Sequence, residues 1–143
     1  MYNKIMVPVD LEHIDKIEKS LSTAADLARL YEAPVCYVAV TGRVPNRVAP
    51  TPEKFEAELN MFAREQADRF GIETSCKVKP SVDVPVELDD KLLEAIKETG
   101  VDLVVMASHI PDVPDRLHLM SSNAAKIVKH ADVSVFVVRG VVS

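Results

Sequence analysis

Five short apolar runs, separated by segments whose apolar residues recur every three or four positions, constrain this chain more than any other feature. The first, Ile5-Met-Val-Pro-Val9, carries no charge. A strand so uniformly apolar is buried on both faces, as in a parallel sheet. Pro8 has no N–H to give a ladder, so it belongs near the strand's end. Similar runs follow at Val35–Val40 and Val133–Val138, and Val101–Met106 is nearly all apolar, with Asp102 its one charge. The run from Ile72 to Val78 differs. Ile72, Thr74, Cys76 and Val78 alternate with more polar residues, the pattern of an edge or half-exposed strand.

The intervening segments read as helices. Ile14, Ile17, Leu21, Ala24, Ala28 and Tyr31 line one helical face, with charged residues on the others. Thr51-Pro52 reads as an N-cap followed by proline at the first helical position, and the helix runs on to Gly71. Leu88, Leu92, Leu93 and Ile96 mark a third helix closed by Gly100. Ser121-Ser-Asn123 can cap a fourth, from Ala124 to about His130. Residues 43–51, 80–86 and 107–120 are expected to be loops. Strands alternating with helices predict an α/β fold, a parallel sheet with helices on both faces. At 143 residues the chain makes a single domain, 1–143.

Composition narrows the function classes. A net charge of −5 with no long basic run disfavours nucleic-acid binding. The N-terminal apolar run is too short for a signal peptide core or a membrane span, and Cys36 and Cys76 read as reduced, buried thiols. A cytoplasmic protein without a membrane partner is expected. The apolar strand near the C-terminus, about Val133–Val138, would be exposed to unwanted pairing if left bare at a sheet edge, which predicts a homodimer through it.

In an open parallel sheet, ligands bind beyond the carboxyl ends of the strands at the topological switch point. Pro8-Val9-Asp10 and Val40 end the first two strands, and Met106-Ala107 opens a loop much longer than the usual connection. Asp10 either accepts hydrogen bonds from a ligand or caps a turn. Ser121, Ser122 and Asn123 sit where free N–H groups of a helix start favour an anion, or serve as an ordinary cap. His109 either touches a ligand or holds the loop. Asp112 and Asp115 could meet Mg²⁺ beside a triphosphate, or be solvated loop charge. The histidines and cysteines have no metal-ligand spacing, so no resident metal is expected. No nucleophile elbow, P-loop or dinucleotide fingerprint occurs, so an enzyme is not expected.

Three blocks, Tyr2 to Asp10, Gly100 to His109 and Ser122 to Arg139, resemble the universal stress protein family in order and spacing. The resemblance covers the whole chain. It implies a Rossmann-like five-stranded sandwich with parallel strand order 3-2-1-4-5 and a homodimer paired through the last strand. For one branch of the family it implies ATP at the carboxyl ends of strands one and four, hence an adenine-nucleotide-binding module of the stress response. By that resemblance Pro8, Val9 and Asp10 would meet the adenosine, Val40 the adenine, and Met106, Ala107 and His109 the ribose and phosphates. ATP-binding members carry Gly-x2-Gly-x9-Gly followed by Ser or Thr. Here Ala107, Ile110 and Ser121 (or Met120) hold those positions, with Ser122 (or Ser121) as the hydroxyl residue. No glycine lies between Gly100 and Gly140. Glycine there lets backbone N–H groups approach phosphate. Ile110 is β-branched, Pro111 and Pro114 lack N–H donors, and Asp112 and Asp115 repel an anion that Arg116 attracts. The expectation is ATP or another adenine nucleotide, with or without Mg²⁺, held weakly or atypically at its phosphates. The alternative is a dimeric interaction protein with a decayed site.

Overall fold

The structure, a computed structural model, describes residues 1–42, 45–107 and 124–139. Strands β1 (Ile5–Pro8), β2 (Val35–Thr41), β3 (Thr74–Pro80), β4 (Leu103–Ala107) and β5 (Ser134–Val138) form one sheet in the order β3-β2-β1-β4-β5. Every pairing between neighbours is parallel. Helices α1 (Glu18–Tyr31), α2 (Pro52–Phe70) and α3 (Val84–Thr99) are joined by a fourth, α4, over 124–130. The predicted class and strand order are those found.

The helices divide between the two faces as the direction of each crossover requires. Arg69 of α2 pairs with Glu18 of α1, and Arg29 of α1 donates to the Phe70 carbonyl at 2.7 Å, so α1 and α2 share one face. On the other, Lys126 of α4 pairs with Asp89 of α3 at 2.9 Å. The strands β1, β2 and β4 are buried along their whole length, which explains their lack of charge. Edge strand β3 alternates as predicted. Thr74 and Cys76 reach α2, where Thr74 donates to the Ala63 carbonyl and Cys76 Sγ meets Asn60. Lys77 and Lys79 face α3 and pair with Glu94 and Glu98. Cys76 is half-buried rather than buried, because its strand has no neighbour on one side.

Thr51 caps α2 as expected, accepting from the Lys54 amide at 3.2 Å. Gly100 closes α3 in the left-handed region at φ 70°, a conformation an L side chain resists. Two boundaries differ from expectation. The first helix opens with one 3₁₀ turn, Ile14–Ile17, before the α-helix proper begins at Glu18. The predicted loop 80–86 is shorter, since β3 runs to Pro80 and α3 starts at Val84. Pro85 sits in the first helical turn, where a missing N–H costs nothing because that group has no intrahelical acceptor.

Tyr37, in the middle of β2, is the largest fully buried side chain. Its ring meets Phe62 of α2 edge-to-face at 5.1 Å. Its hydroxyl has no partner among the described residues, and burial pushes its ionisation above the ordinary tyrosine range, against a smaller opposing pull from Arg69. A buried hydroxyl without a protein partner costs about 1 kcal/mol or more. Tyr37→Phe keeps the ring contact and is expected to raise stability by about 1 kcal/mol, or about 2–4 °C in Tm, in a thermal melt.

Candidate functional site

The switch point lies at β1. The chain leaves β1 for β2 on one side and returns to β4 on the other. The β1–β2 ladder runs to Pro8↔Val38, and the Val9 amide extends it by donating to the Val38 carbonyl at 2.8 Å. The β1–β4 ladder ends earlier, at Met6↔Val104. The carboxyl ends of β1 and β4 are therefore not laced together.

Asp10 is the first polar side chain beyond β1 and is only 6% exposed. Its Oδ1 accepts from the Glu12 amide at 3.0 Å. Its Oδ2 lies 3.1 Å from His13 Nδ1, and its carbonyl accepts from the His13 amide at 3.0 Å. The carboxylate thus closes the turn that feeds the 3₁₀ segment. This is the capping role that the sequence offered as one of two for Asp10. An ionised carboxylate has about four acceptor positions, so these contacts leave capacity for a ligand.

Two small hollows flank Asp10. One lies on the α3 face, among Pro8, Val9, Val40, Leu88 and Leu92, and leaves about 20 Å³. The other leaves about 10 Å³ and is closed by Thr41, Asn46, Val48 and Phe55. Each has room for about one water molecule. Asn46 builds the second wall: its Oδ1 accepts from the Val48 and Ala49 amides at 2.9 and 3.0 Å. Outside it runs a groove of about 430 Å³, whose apolar lining is Leu11, Val48, Met61 and Phe62. Glu12, Glu58, Glu65 and Arg47 rim this groove.

Of the residues predicted from the sequence, Pro8, Val9, Asp10 and Val40 come together around the first hollow. Met106 and Ala107 end β4, on the other side of β1, with Met106 fully buried. His109, Ile110, Arg116, Ser121, Ser122 and Asn123 lie outside the described residues. Glu12, His13 and Asn46 were missed. The signal for the first two was present, an Asp-x-Glu-His run directly after a buried strand. Histidine and cysteine spacing alone does not reveal it, since two of its three donors are carboxylates. Asp10, Glu12 and His13 each offer a ligand atom within 4.8 Å of the others.

No described helix is long and apolar enough to cross a membrane. The family model for the universal stress protein family matches residues 1–139. Universal stress protein G of Shigella flexneri is 30% identical over 146 residues, covering 97% of this chain and all of that protein. A protein from the universal stress protein family of Burkholderia pseudomallei superposes with a TM-score of 0.67, at 21% identity and 96% coverage of both chains. The universal stress protein from Archaeoglobus fulgidus in complex with dAMP gives a TM-score of 0.59, at 21% identity over 95% of this chain and 97% of that one. With a family match over nearly its whole length and the same five-stranded fold, the chain belongs to the universal stress protein family.

Proposed function

We propose that the protein is a cytoplasmic, dimeric binding module of the stress response that takes an adenine nucleotide, ATP among them, without rapid turnover. The observation that carries this reading is a nearly buried carboxylate, Asp10, at the switch point of an open parallel sheet, beside Val9 and Val40. Asp10 would accept from the adenine amino group or a ribose hydroxyl through the acceptor positions its turn leaves unused. A family relative of this fold holding dAMP supports the ligand class. The phosphates would fall to the segment from Ala107 to Asn123, whose lack of glycine argues for weak or atypical phosphate binding. Whether Mg²⁺ accompanies the nucleotide depends on the same segment.

The dimer reading rests on β5. It is an edge strand, and Phe136 and Val137 are exposed on it. An uncovered apolar edge is a template for strand addition.

A second reading, a dimeric interaction protein with a decayed nucleotide site, is favoured by a different observation. The described hollows beside Asp10 are only water-sized, and the Asp10 carboxylate is already engaged in its own turn.

The two readings separate on protein purified without added nucleotide. After denaturation, the supernatant is assayed for adenine nucleotide by absorbance and chromatography, and the native protein is melted with and without Mg-ATP. At about 100 times Kd, a ligand adds about 2.7 kcal/mol, or about 5–10 °C in Tm for a chain of this size. An empty supernatant and no shift at millimolar nucleotide would leave the second reading standing. Asp10→Ala is expected to cost about 1–2 kcal/mol in urea titrations without ligand, through loss of the turn cap, and to remove the nucleotide-dependent shift. Phe136→Asp is expected to convert dimer to monomer in sedimentation velocity. A wild-type protein that sediments as a monomer would overturn the dimer reading.

A further inference from the structure

We propose that Asp10, Glu12 and His13 form a binding site for a divalent transition cation, of which Zn²⁺ is the type. The argument starts from the donor set. One imidazole nitrogen and two carboxylate oxygens suit Zn²⁺, Mn²⁺ or Co²⁺, whereas Ca²⁺ and Mg²⁺ prefer oxygen alone. The next step is spacing. With metal–ligand bonds of about 2.0–2.1 Å, neighbouring donor atoms stand about 3.0 Å apart in an octahedron and about 3.4 Å apart in a tetrahedron. His13 Nδ1 and Asp10 Oδ2 are 3.1 Å apart, within that range. The pair is hydrogen-bonded as it stands, and an ion would replace that hydrogen bond with little change in the separation of the two donors.

Burial and backbone tethering keep it there. The Asp10 and His13 side chains are 7% and 16% exposed. The amides of Glu12 and His13 both donate to Asp10, so the three backbones are fixed relative to one another. The Glu12 carboxylate is the adjustable member. It is half-buried and makes no hydrogen bond or ion pair among the described residues. All three donor atoms lie within 4.8 Å of one another, and Glu12 is the member that would have to move to close on an ion. The ion would bind the Nδ1 lone pair of the neutral imidazole in the tautomer that carries its one proton on Nε2. Three protein ligands leave at least one coordination position open. Glu12 also lines the groove of about 430 Å³, so the open position has access to water or to an anionic oxygen from a bound ligand.

The site does not rest on the nucleotide reading, and its test omits nucleotide. Zn²⁺ is titrated into the full-length, nucleotide-free protein by calorimetry, and Co²⁺ binding is followed by visible absorption. One equivalent per chain is expected. His13→Ala and Glu12→Gln should each weaken binding at least about tenfold, a loss seen even for partners outside the coordination shell. In the wild-type protein, Zn²⁺ should shift the His13 imidazole resonances ahead of those of the other histidines, a readout that needs no variant to fold. No saturable binding in the micromolar range would overturn the proposal. So would binding that persists in both variants, or that shifts only His109, His118 or His130.

Discussion

The fold hangs on β1 having a parallel neighbour on each side. A strand at the centre of such a sheet must give its amides and carbonyls to β2 and β4, and must present apolar side chains to both helical layers. The uncharged Ile5–Pro8 segment meets both demands. Its two neighbours are reached by crossovers that run in opposite directions, which puts α1 and α2 on one face and α3 and α4 on the other. Where those crossovers diverge, the end of β1 is flanked by α3 residues on one side and by Asn46, Val48 and Phe55 on the other. The first residue there that can carry charge is Asp10.

That position gives Asp10 two duties. It must close the turn out of β1, because the amides of Glu12 and His13 need acceptors where the sheet stops and α1 has not begun. It also stands at the switch point, the place where open parallel sheets take ligands. Under the proposed function, local structure and ligand binding draw on the same carboxylate. A substitution there tests both together, and stability must be measured beside binding.

Much of this was legible in the sequence. The apolar runs marked β1, β2 and β4 as buried strands, whereas the equally apolar β5 is largely exposed at its edge, and the alternation over Thr74, Cys76 and Val78 marked β3 as an edge. Thr51-Pro52 and Gly100 marked helix ends, because their conformational preferences are local. Asp10 was legible as a position but not as a set of contacts. Its pairing with His13 depends on the turn geometry between them, which no periodicity encodes. The 3₁₀ turn at Ile14–Ile17 was missed for a related reason: apolar spacing of three or four residues fits a tight first turn as well as an α-helical one. Pro85 falls within the expected loop 80–86, although the first turn of a helix accepts proline without loss. Strand order came from family resemblance, since apolar runs alone do not say which strand neighbours which.

The two sheet edges differ in a way that limits growth. On β3, Lys77 and Lys79 are tied to α3 by Glu94 and Glu98, and the strand ends in Pro80. Charge and a missing N–H make that edge a poor template for an added strand. On β5 the apolar Phe136 and Val137 guard nothing. An association of the kind proposed, strand on strand, would therefore be one-ended. A second copy added by two-fold symmetry at β5 consumes the receptive edge of both molecules, and the outer edges of the enlarged sheet are two copies of β3. Assembly by this route terminates at two chains instead of propagating into a fibre.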